Sequence, residues 1–379
     1  MPSAGSCFAF RLSGLLLMAL PVIAPSIATA QPQPMPIKVA VIGLVHGHAD
    51  GFLTYLPQRK NADLVGICEP DQEVAARYAK KFGLPQSLFF TRMDEMIETR
   101  HPQALLLYNA TADHRKVIET VAHYGLPIMV EKPLTISLDD ALAIRKVARE
   151  NHIQVLVNYE TMWYSSNRAA YDEVQQGRLG PVRKVVVHDG HQGPADLNLQ
   201  PEFLRWLLDP ARNGAGALYD FGCYGVDLMT WLMHGEAPLT VTAVANHDKP
   251  QTYPKVDDDA TIVLAYPRAQ AIVQGSWNWP FARKDMEVYG ATGYAITVGP
   301  DKMRIRHEHD AAEQPSIADP LPPAESNAMS YLGAVVRGEV IPDGDQAALD
   351  TNVIVMQILD AARESVRTGR SVRLTKLAE

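Results

Sequence analysis

Between residues 37 and 157 the chain alternates short apolar runs with segments of helical period, and no other feature restricts the fold as tightly. The runs IKVAVIGL, ADLVGICEP, ALLLYNA, PIMVEKP and IQVLVNY read as strands. Between them DQEVAARYAKKFGLP stops at Gly83 with Pro85 beyond, and TRMDEM offers Thr91 with Asp94 three residues on. DHRKVIETVAHYG closes on Gly125, and SLDDALAIRKVAREN opens on Ser137 with Asp140 in the capping-box position. These are the starts and stops of amphipathic helices. Parallel neighbours need crossover connections, and those are helices. The alternation therefore predicts a doubly wound parallel sheet over residues 37–157.

The pattern then changes. From VRKVVVHDGHQG onward come LTVTAVANH, DATIVLAY, AIVQGSWNW, DMEVYG, YAITVG and KMRIRHE, joined mostly by short turns such as PRAQ and ATG. Hairpin connections build an antiparallel sheet with one face for helices and the other for a partner. Helical segments interrupt it at FLRWLLDP and YGVDLMTWLMHG, and ALDTNVIVMQILDAARESVRTG is an amphipathic helix. The expected class is α/β, a doubly wound N-terminal domain followed over residues 158–379 by an α+β domain with an open, mostly antiparallel sheet.

Residues 1–30 stand outside this scheme. Arg11 is their only charge, LLLMALPVIA is apolar, and ATA ends at Ala30; this is the layout of a signal peptide. The run is shorter than the ~20 residues of a spanning helix, and Pro21 and Pro25 break it. The expectation is export to the periplasm or beyond, with cleavage near Ala30, a Pro-rich spacer over residues 31–36 and no stable membrane insertion. The formal net charge of −8, with no basic block, excludes an electrostatic footprint for nucleic acid. Cys7 leaves with the leader, and Cys68 and Cys223 remain, expected as free thiols rather than a disulfide framework.

Ligands of open parallel sheets bind at the carboxyl ends of the strands, which directs attention to the strand ends. The first turn, GLVHGHADG, satisfies only part of the dinucleotide fingerprint: Gly43 fits, Val45 and His48 stand where glycines are usual, and Gly47 is one residue out of register. Glu69 ends the second strand about 20 residues on, where an acid meets the adenosine ribose. No Arg or Lys follows in EPDQE, so NAD is expected rather than NADP. His46 and His48 suggest a metal, but in a turn they point apart, and no Cys or third acid lies at ligand spacing; no metal is expected, and the pair is read as hydrogen-bonding groups of a pocket. Glu131, Lys132 and Pro133 end another strand at the same edge. Lys132 there points into the crevice, while Pro133 ends the ladder and stiffens its mount.

VEKP, seventeen residues from His114 to Glu131 after LLLYNATADH, resembles the Gfo/Idh/MocA oxidoreductases. GAGALYDFGCYGVDLMTWLMHG, residues 214–235, is similar to that family's second-domain segment. The likeness departs at the glycine turn, at Asn109-Ala110-Thr111 before the histidine, and at Tyr224, which stands where a histidine is usual; the branch with glucose-fructose oxidoreductase and dihydrodiol dehydrogenases also has tyrosine there. The resemblance implies a Rossmann domain joined to an open-faced antiparallel domain, assembled as a homodimer or homotetramer. It further implies a catalytic set of Lys132, Asp220 and Tyr224, and adds Asn109, His114 and Glu131 to the cofactor side. Removing a hydride from a carbinol requires its hydroxyl proton to leave too. A phenol serves as base if a cation lowers its pKa, so the expected roles are Tyr224 as base and Lys132 as cation. Asp220 would bond a sugar hydroxyl or orient the lysine. His188, His191, Arg205 and Trp277, with Trp279, are candidate linings of a carbohydrate site.

Export conflicts with a freely exchanging nicotinamide pool. Two other functions therefore stay open beside simple sugar dehydrogenation: redox-neutral glycoside cleavage with retained NAD, and a sugar-binding module without cofactor.

Overall fold

The computed structural model describes residues 35–307 and 312–377; the leader, its cleavage point and the first part of the spacer lie outside them. No helix among these residues is long and apolar enough to cross a membrane.

The N-terminal alternation forms β1 (Ile37–Ile42), α1 (Gly47–Tyr55), β2 (Ala62–Cys68), α2 (Gln72–Phe82), β3 (Phe89–Phe90), α3 (Met93–Arg100), β4 (Ala104–Leu107), α4 (His114–Val121), β5 (Ile128–Glu131), α5 (Leu138–Glu150) and β6 (Val155–Asn158). The sheet is parallel, in the order β3-β2-β1-β4-β5-β6. β1 lies at its centre, between β2 and β4, so the reversal of strand order falls beside the first turn. The helix ends follow local chemistry. Asp71 caps α2 by accepting from the main chain of Glu73 and Val74, and Gly83 closes it at φ +64. Ser137 caps α5, but Asp140 does not complete a capping box: its carboxylate takes the Ser137 hydroxyl (2.9 Å) and Arg115 (2.9 Å) instead. α3 starts one residue later than TRMDEM suggests; Arg92 is its cap residue, and the Arg92 guanidinium holds Asp94.

The second half adds α6 (Ser165–Gln175), β7 (Val182–Gly190), α7 (Pro201–Leu207), α8 (Pro210–Asn213), α9 (Ala217–Asp220), α10 (Gly222–Leu232), β8 (Thr240–Asn246), β9 (Asp259–Ala265), β10 (Gln270–Ser276), β11 (Arg283–Gly290), β12 (Tyr294–Thr297), β13 (Lys302–Arg306) and β14 (Gln314–Ile317). After these come α11 (Ala328–Val336), α12 (Leu349–Thr368) and β15 (Val372–Arg373). The nine strands run β14-β13-β12-β11-β7-β10-β9-β8-β15. Among the described residues only β7 and β10 of this sheet pair in parallel: after α7–α10 the chain enters at β8, and the antiparallel meander β8-β9-β10 brings β10 back beside β7 in the same direction. α10 is buried along all eleven residues. Gly225 lets it approach the sheet, since a Cβ there would lie 2.5 Å from Val273 and 3.1 Å from Val187.

The boundary expected at residue 158 does not divide the packing. Met329, Tyr331, Leu332 and Val335 of α11 lie in one apolar cluster with Val39, Val41, Leu106 and Leu156, and the Val157 N–H donates to the Ala347 carbonyl (3.0 Å). Each such side chain stabilises the fold by roughly 1.5–3 kcal/mol, so the C-terminal segment belongs to the N-terminal core. Cys68 and Cys223 are both buried free thiols.

Candidate active site

The site is assembled from two strand ends and one helix pair. β5 stops at Glu131 and the Lys132–Pro133 peptide is cis. From the other half, the Asp257 carboxylate accepts from Gly216 N–H (2.8 Å) and Leu218 N–H (2.7 Å). That fixes α9, and with it Asp220 at the end of α9 and Tyr224 in the first turn of α10. Lys132 Nζ donates to Asp220 Oδ1 (2.5 Å) and to the Asp220 carbonyl (2.8 Å). Trp277 Nε1 donates to Asp220 Oδ2 (2.9 Å), so both carboxylate oxygens are held. Burial opposes the charge on Lys132, but Asp220 outweighs it and keeps the ammonium above its ordinary range. Burial likewise opposes the Asp220 charge, and Lys132 holds that carboxyl below its usual value.

Tyr224 lies beside this pair in a different state from the one its expected role requires. Lys132 Nζ stands over the ring face, 5.0 Å from the centroid, where a cation meets the π-electrons. Burial first, and then Asp189 and Glu160, push the phenol well above its ordinary pKa. The expected lowering is thus reversed, and Tyr224 is a neutral phenol.

A second cation, which motif reading passed over, completes the ring's surroundings. Lys284 Nζ lies 4.5 Å from the Tyr224 centroid, bonded to Glu160 (2.5 Å) and 4.0 Å from Asp189. Asp189 is 1 % exposed, has no hydrogen-bond partner on either carboxylate oxygen, and is pushed up to about 8 by burial despite Lys284 and Lys132. His191 also reaches this cleft; its Nδ1 accepts from Gly193 N–H (2.9 Å), which places its proton on Nε2 by assignment. The cleft holds about 720 Å³ and is lined by Lys132, His191, Asp220, Tyr224 and Lys284 among others.

The first turn borders both this cleft and a second hollow of about 840 Å³, lined by Gly43, Val45, Glu69, Asn109 and Arg212. Gly43 has φ +80, and a Cβ there would come within 2.8 Å of Asn109, so only glycine fits. Glu69 accepts from Leu44 N–H (2.8 Å) and Asp71 N–H (2.9 Å), tying the turn to the end of β2. His48 Nδ1 meets Glu131 Oε2 (2.7 Å), and Asn158 donates to Glu131 Oε1 (2.9 Å). Burial opposes the Glu131 charge, yet His48 brings its carboxyl down to about 2. Glu131 is thus the third group that local spacing did not offer: its ligand atom and those of His46 and His48 lie within 4.8 Å of one another. These atoms bond within the protein, His46 Nδ1 accepting from His48 N–H (3.1 Å). His188, Asp285 and Glu287 form a similar trio on the sheet, with Asp285 bonded to Arg283 (2.6 and 2.9 Å).

Several sequence candidates fall elsewhere. Arg205 is exposed on the opposite side of α7 from Phe203 and Trp206, as helical period requires, and does not line the cleft. His188 sits against Asp285 (3.3 Å), Trp279 packs on Gly190, and Trp277 is fully buried and acts through Asp220. His114 is fully buried, its Nδ1 against the Leu134 carbonyl (3.0 Å); it anchors the loop after Pro133 and lines neither hollow. In EFLRWLLDP the informative residues are the aromatics. Trp206 Nε1 donates to the Val45 carbonyl (3.0 Å), and Phe203 and Trp206 pack on His46 with centroids 5.0 and 5.4 Å away. Arg77 pairs with Glu202, and Arg212 with Asp113, so the α7–α8 segment clasps the turn at both edges.

Residues 37–159 match the oxidoreductase family with an NAD-binding Rossmann fold, and residues 167–296 match the GFO/IDH/MocA C-terminal domain. The chain belongs to the Gfo/Idh/MocA oxidoreductase family. Among curated members of that family, the 1,5-anhydro-D-fructose reductase of Ensifer adhaerens is 24% identical over 239 residues, covering 62% of this chain and 68% of the relative. The scyllo-inositol 2-dehydrogenase (NAD(+)) of Bacillus subtilis is 24% identical over 284 residues, 72% and 75% of the two chains. Among solved structures, the aldose-aldose oxidoreductase of Caulobacter crescentus complexed with glycerol superposes with a TM-score of 0.76 at 21% identity, over 89% of this chain and 100% of that one. At that identity the likeness is one of fold. As a Gfo/Idh/MocA chain, the protein carries a Rossmann domain whose residues fit a dinucleotide: a glycine-only turn position, an acid at the end of β2, and the buried, unpartnered amide oxygen of Asn109.

Proposed function

We propose that this protein is an NAD-dependent oxidoreductase acting on a carbinol of a sugar or sugar-derived alcohol. The observation that carries the reading is the junction of Lys132, from the edge of the NAD-binding sheet, with Asp220, from the second domain, at 2.5 Å. Glu69, with no neighbouring cation in EPDQE, favours NAD over NADP, since a 2′-phosphate there would meet a carboxylate. Gly43, Val45, Glu69 and Asn109 would hold the dinucleotide, whose nicotinamide supplies or takes the hydride.

The chain's own part is the proton. An ammonium has three donors; two of those on Lys132 are engaged by Asp220, and the third is left for the substrate oxygen. In both directions the Lys132 Nζ–H donates to the substrate oxygen and stabilises the alkoxide, whose proton is exchanged with solvent; held above its ordinary range by Asp220, the group stays an ammonium. Asp220 orients Nζ and accepts from a neighbouring hydroxyl, and His191 Nε2–H donates to another. Tyr224, a neutral phenol, walls the cleft and donates rather than abstracting a proton.

The test is absorbance of NADH with a panel of sugars and polyols. Lys132→Met is expected to lower turnover by about 10²–10⁴-fold with NAD binding intact. Tyr224→Phe is expected to leave the pH profile in place. Undiminished turnover in Lys132→Met, or loss of a pH limb in Tyr224→Phe, would remove these assignments.

A second reading, redox-neutral turnover with retained NAD, is favoured by the clasp of Phe203, Trp206 and Arg212 over the first turn, together with the export proposed from the leader. Bound NAD in the purified protein, with substrate turned over but no NADH released, would select it. N-terminal sequencing of mature material beginning near Gln31 tests export; material beginning at Met1 would refute it.

A further inference from the structure

We propose that the site selects an uncharged polyhydroxylated substrate, with Lys284 and Glu160 forming a second hydroxyl-binding pair beside the Tyr224 ring, next to Lys132 and Asp220. This rests on the oxidoreductase reading and adds the class of carbinol that the cleft takes.

Among the described residues, each Lys and Arg lining the cleft already has a carboxylate. Lys132 has Asp220 at 2.5 Å, Lys284 has Glu160 at 2.5 Å, and Arg283 has Asp285 at 2.6 and 2.9 Å. Of the lining histidines, His46 and His191 are held by burial below their ordinary pKa and add no charge at neutral pH, and His48 already has the Glu131 carboxylate at 2.7 Å. A phosphate or uronate would have to displace one of these carboxylates, or be desolvated beside it without a cation of its own, and that is unfavourable. A hydroxyl meets no such obstacle. It donates and accepts at once, so it bonds a carboxylate and an ammonium of the same pair without separating them. The two ammonium nitrogens lie 5.0 and 4.5 Å from one ring centroid, giving a ring of hydroxyls two partner pairs around the phenol.

Asp189 makes Glu160 decisive. It lies 4.0 Å from Lys284 Nζ, but burial pushes its carboxyl up to about 8, so at neutral pH it is largely protonated and Glu160 is the countercharge of Lys284. Neutralising Glu160 therefore exposes a cation to the cleft. Glu160 is 51% exposed, so its replacement leaves the core intact.

Calorimetric binding to the NAD-loaded protein tests this with four probes: D-glucose and myo-inositol against D-glucuronate and D-glucose 6-phosphate. In the native protein a neutral probe is expected to bind about tenfold or more tightly than either anion. In Glu160→Gln that ratio is expected to fall by about tenfold through a gain for the anions, a change of ~1.4 kcal/mol. Lys284→Met, made as a control, is expected to weaken the neutral probe without any gain for the anions. Native preference for an anion, no binding of any probe, or an unchanged ratio in Glu160→Gln would overturn the proposal. A neutral probe that binds but yields no NADH, free or bound, would refute the hydride reading instead and leave the charge ratio legible.

Discussion

A carboxyl with no hydrogen-bond partner, buried beside two ammonium groups, is held in a narrow electrostatic balance. Asp189 is such a group: desolvation raises its pKa to about 8, while Lys284 and Lys132 pull the other way. An unfolded aspartate titrates near about 3.9. Between that value and about 8 the folded chain binds the extra proton, so stability is greatest below the window and falls as pH rises through it. Asp189→Asn removes the linkage. Urea denaturation across pH 5 to 8 is expected to show the native protein losing on the order of 1–3 kcal/mol more than the variant; parallel curves would sink the argument. Tyr224 shows the same physics from the other side. Its position in the D-x-G segment was legible in the sequence, but its protonation was not, because desolvation by the folded core and the nearby carboxylates of Asp189 and Glu160 set it.

Among the elements, the α7–α8 segment has the largest consequence for its size. Seven residues of α7 place Phe203 and Trp206 on the first turn, and Arg212 at the end of α8 pairs with Asp113 (3.0 Å). Arg212 and Asp113 are partly exposed, so their pair contributes only about 0–1 kcal/mol to stability. Its loss acts on opening of the clasp. Arg212→Gln is expected to leave the melting temperature nearly unchanged and to speed release of bound NAD by about threefold to tenfold, a ~0.7–1.4 kcal/mol change, measured by chase with excess unlabelled cofactor. An unchanged release rate would show that the clasp does not gate exchange. The sequence marks this segment as helical and offers Arg205 as a polar candidate, but the side chains that meet the turn are the aromatic Phe203 and Trp206. Helical period alone separates Arg205 from the Phe203–Trp206 side, but not which side meets the turn.

On the scale of the molecule, no helix among the described residues covers one face of the nine-stranded sheet. Val186, Ile272 and Val263 stand directly opposite one another across β7, β10 and β9, half-buried on the side away from α10, with Val244 62% exposed on the neighbouring strand. A row of β-branched residues on an open sheet face is the kind of surface a partner covers, and we propose that a second copy covers it in a homodimer or homotetramer. Ile272→Glu is expected to convert the assembly to monomer in sedimentation with the fold retained; a native protein that sediments as a monomer would refute this.

Local pattern by itself determined the alternating order of the N-terminal half, the change to antiparallel strands and the two segments that carry Lys132 and Asp220, because periodicity, caps and turn residues act within a few positions; α6 and α11 were not among the segments it marked. Tertiary structure alone decided what surrounds those groups. Lys132 and Asp220 meet across 88 positions, and Lys284 and Glu160 across 124. The return of α11 to the N-terminal core, the clasp over the first turn and the raised pKa values of Asp189 and Tyr224 arise from contacts equally remote in the chain. Ionisation depends on dielectric and on charges a few ångströms away, and neither exists until the chain has folded.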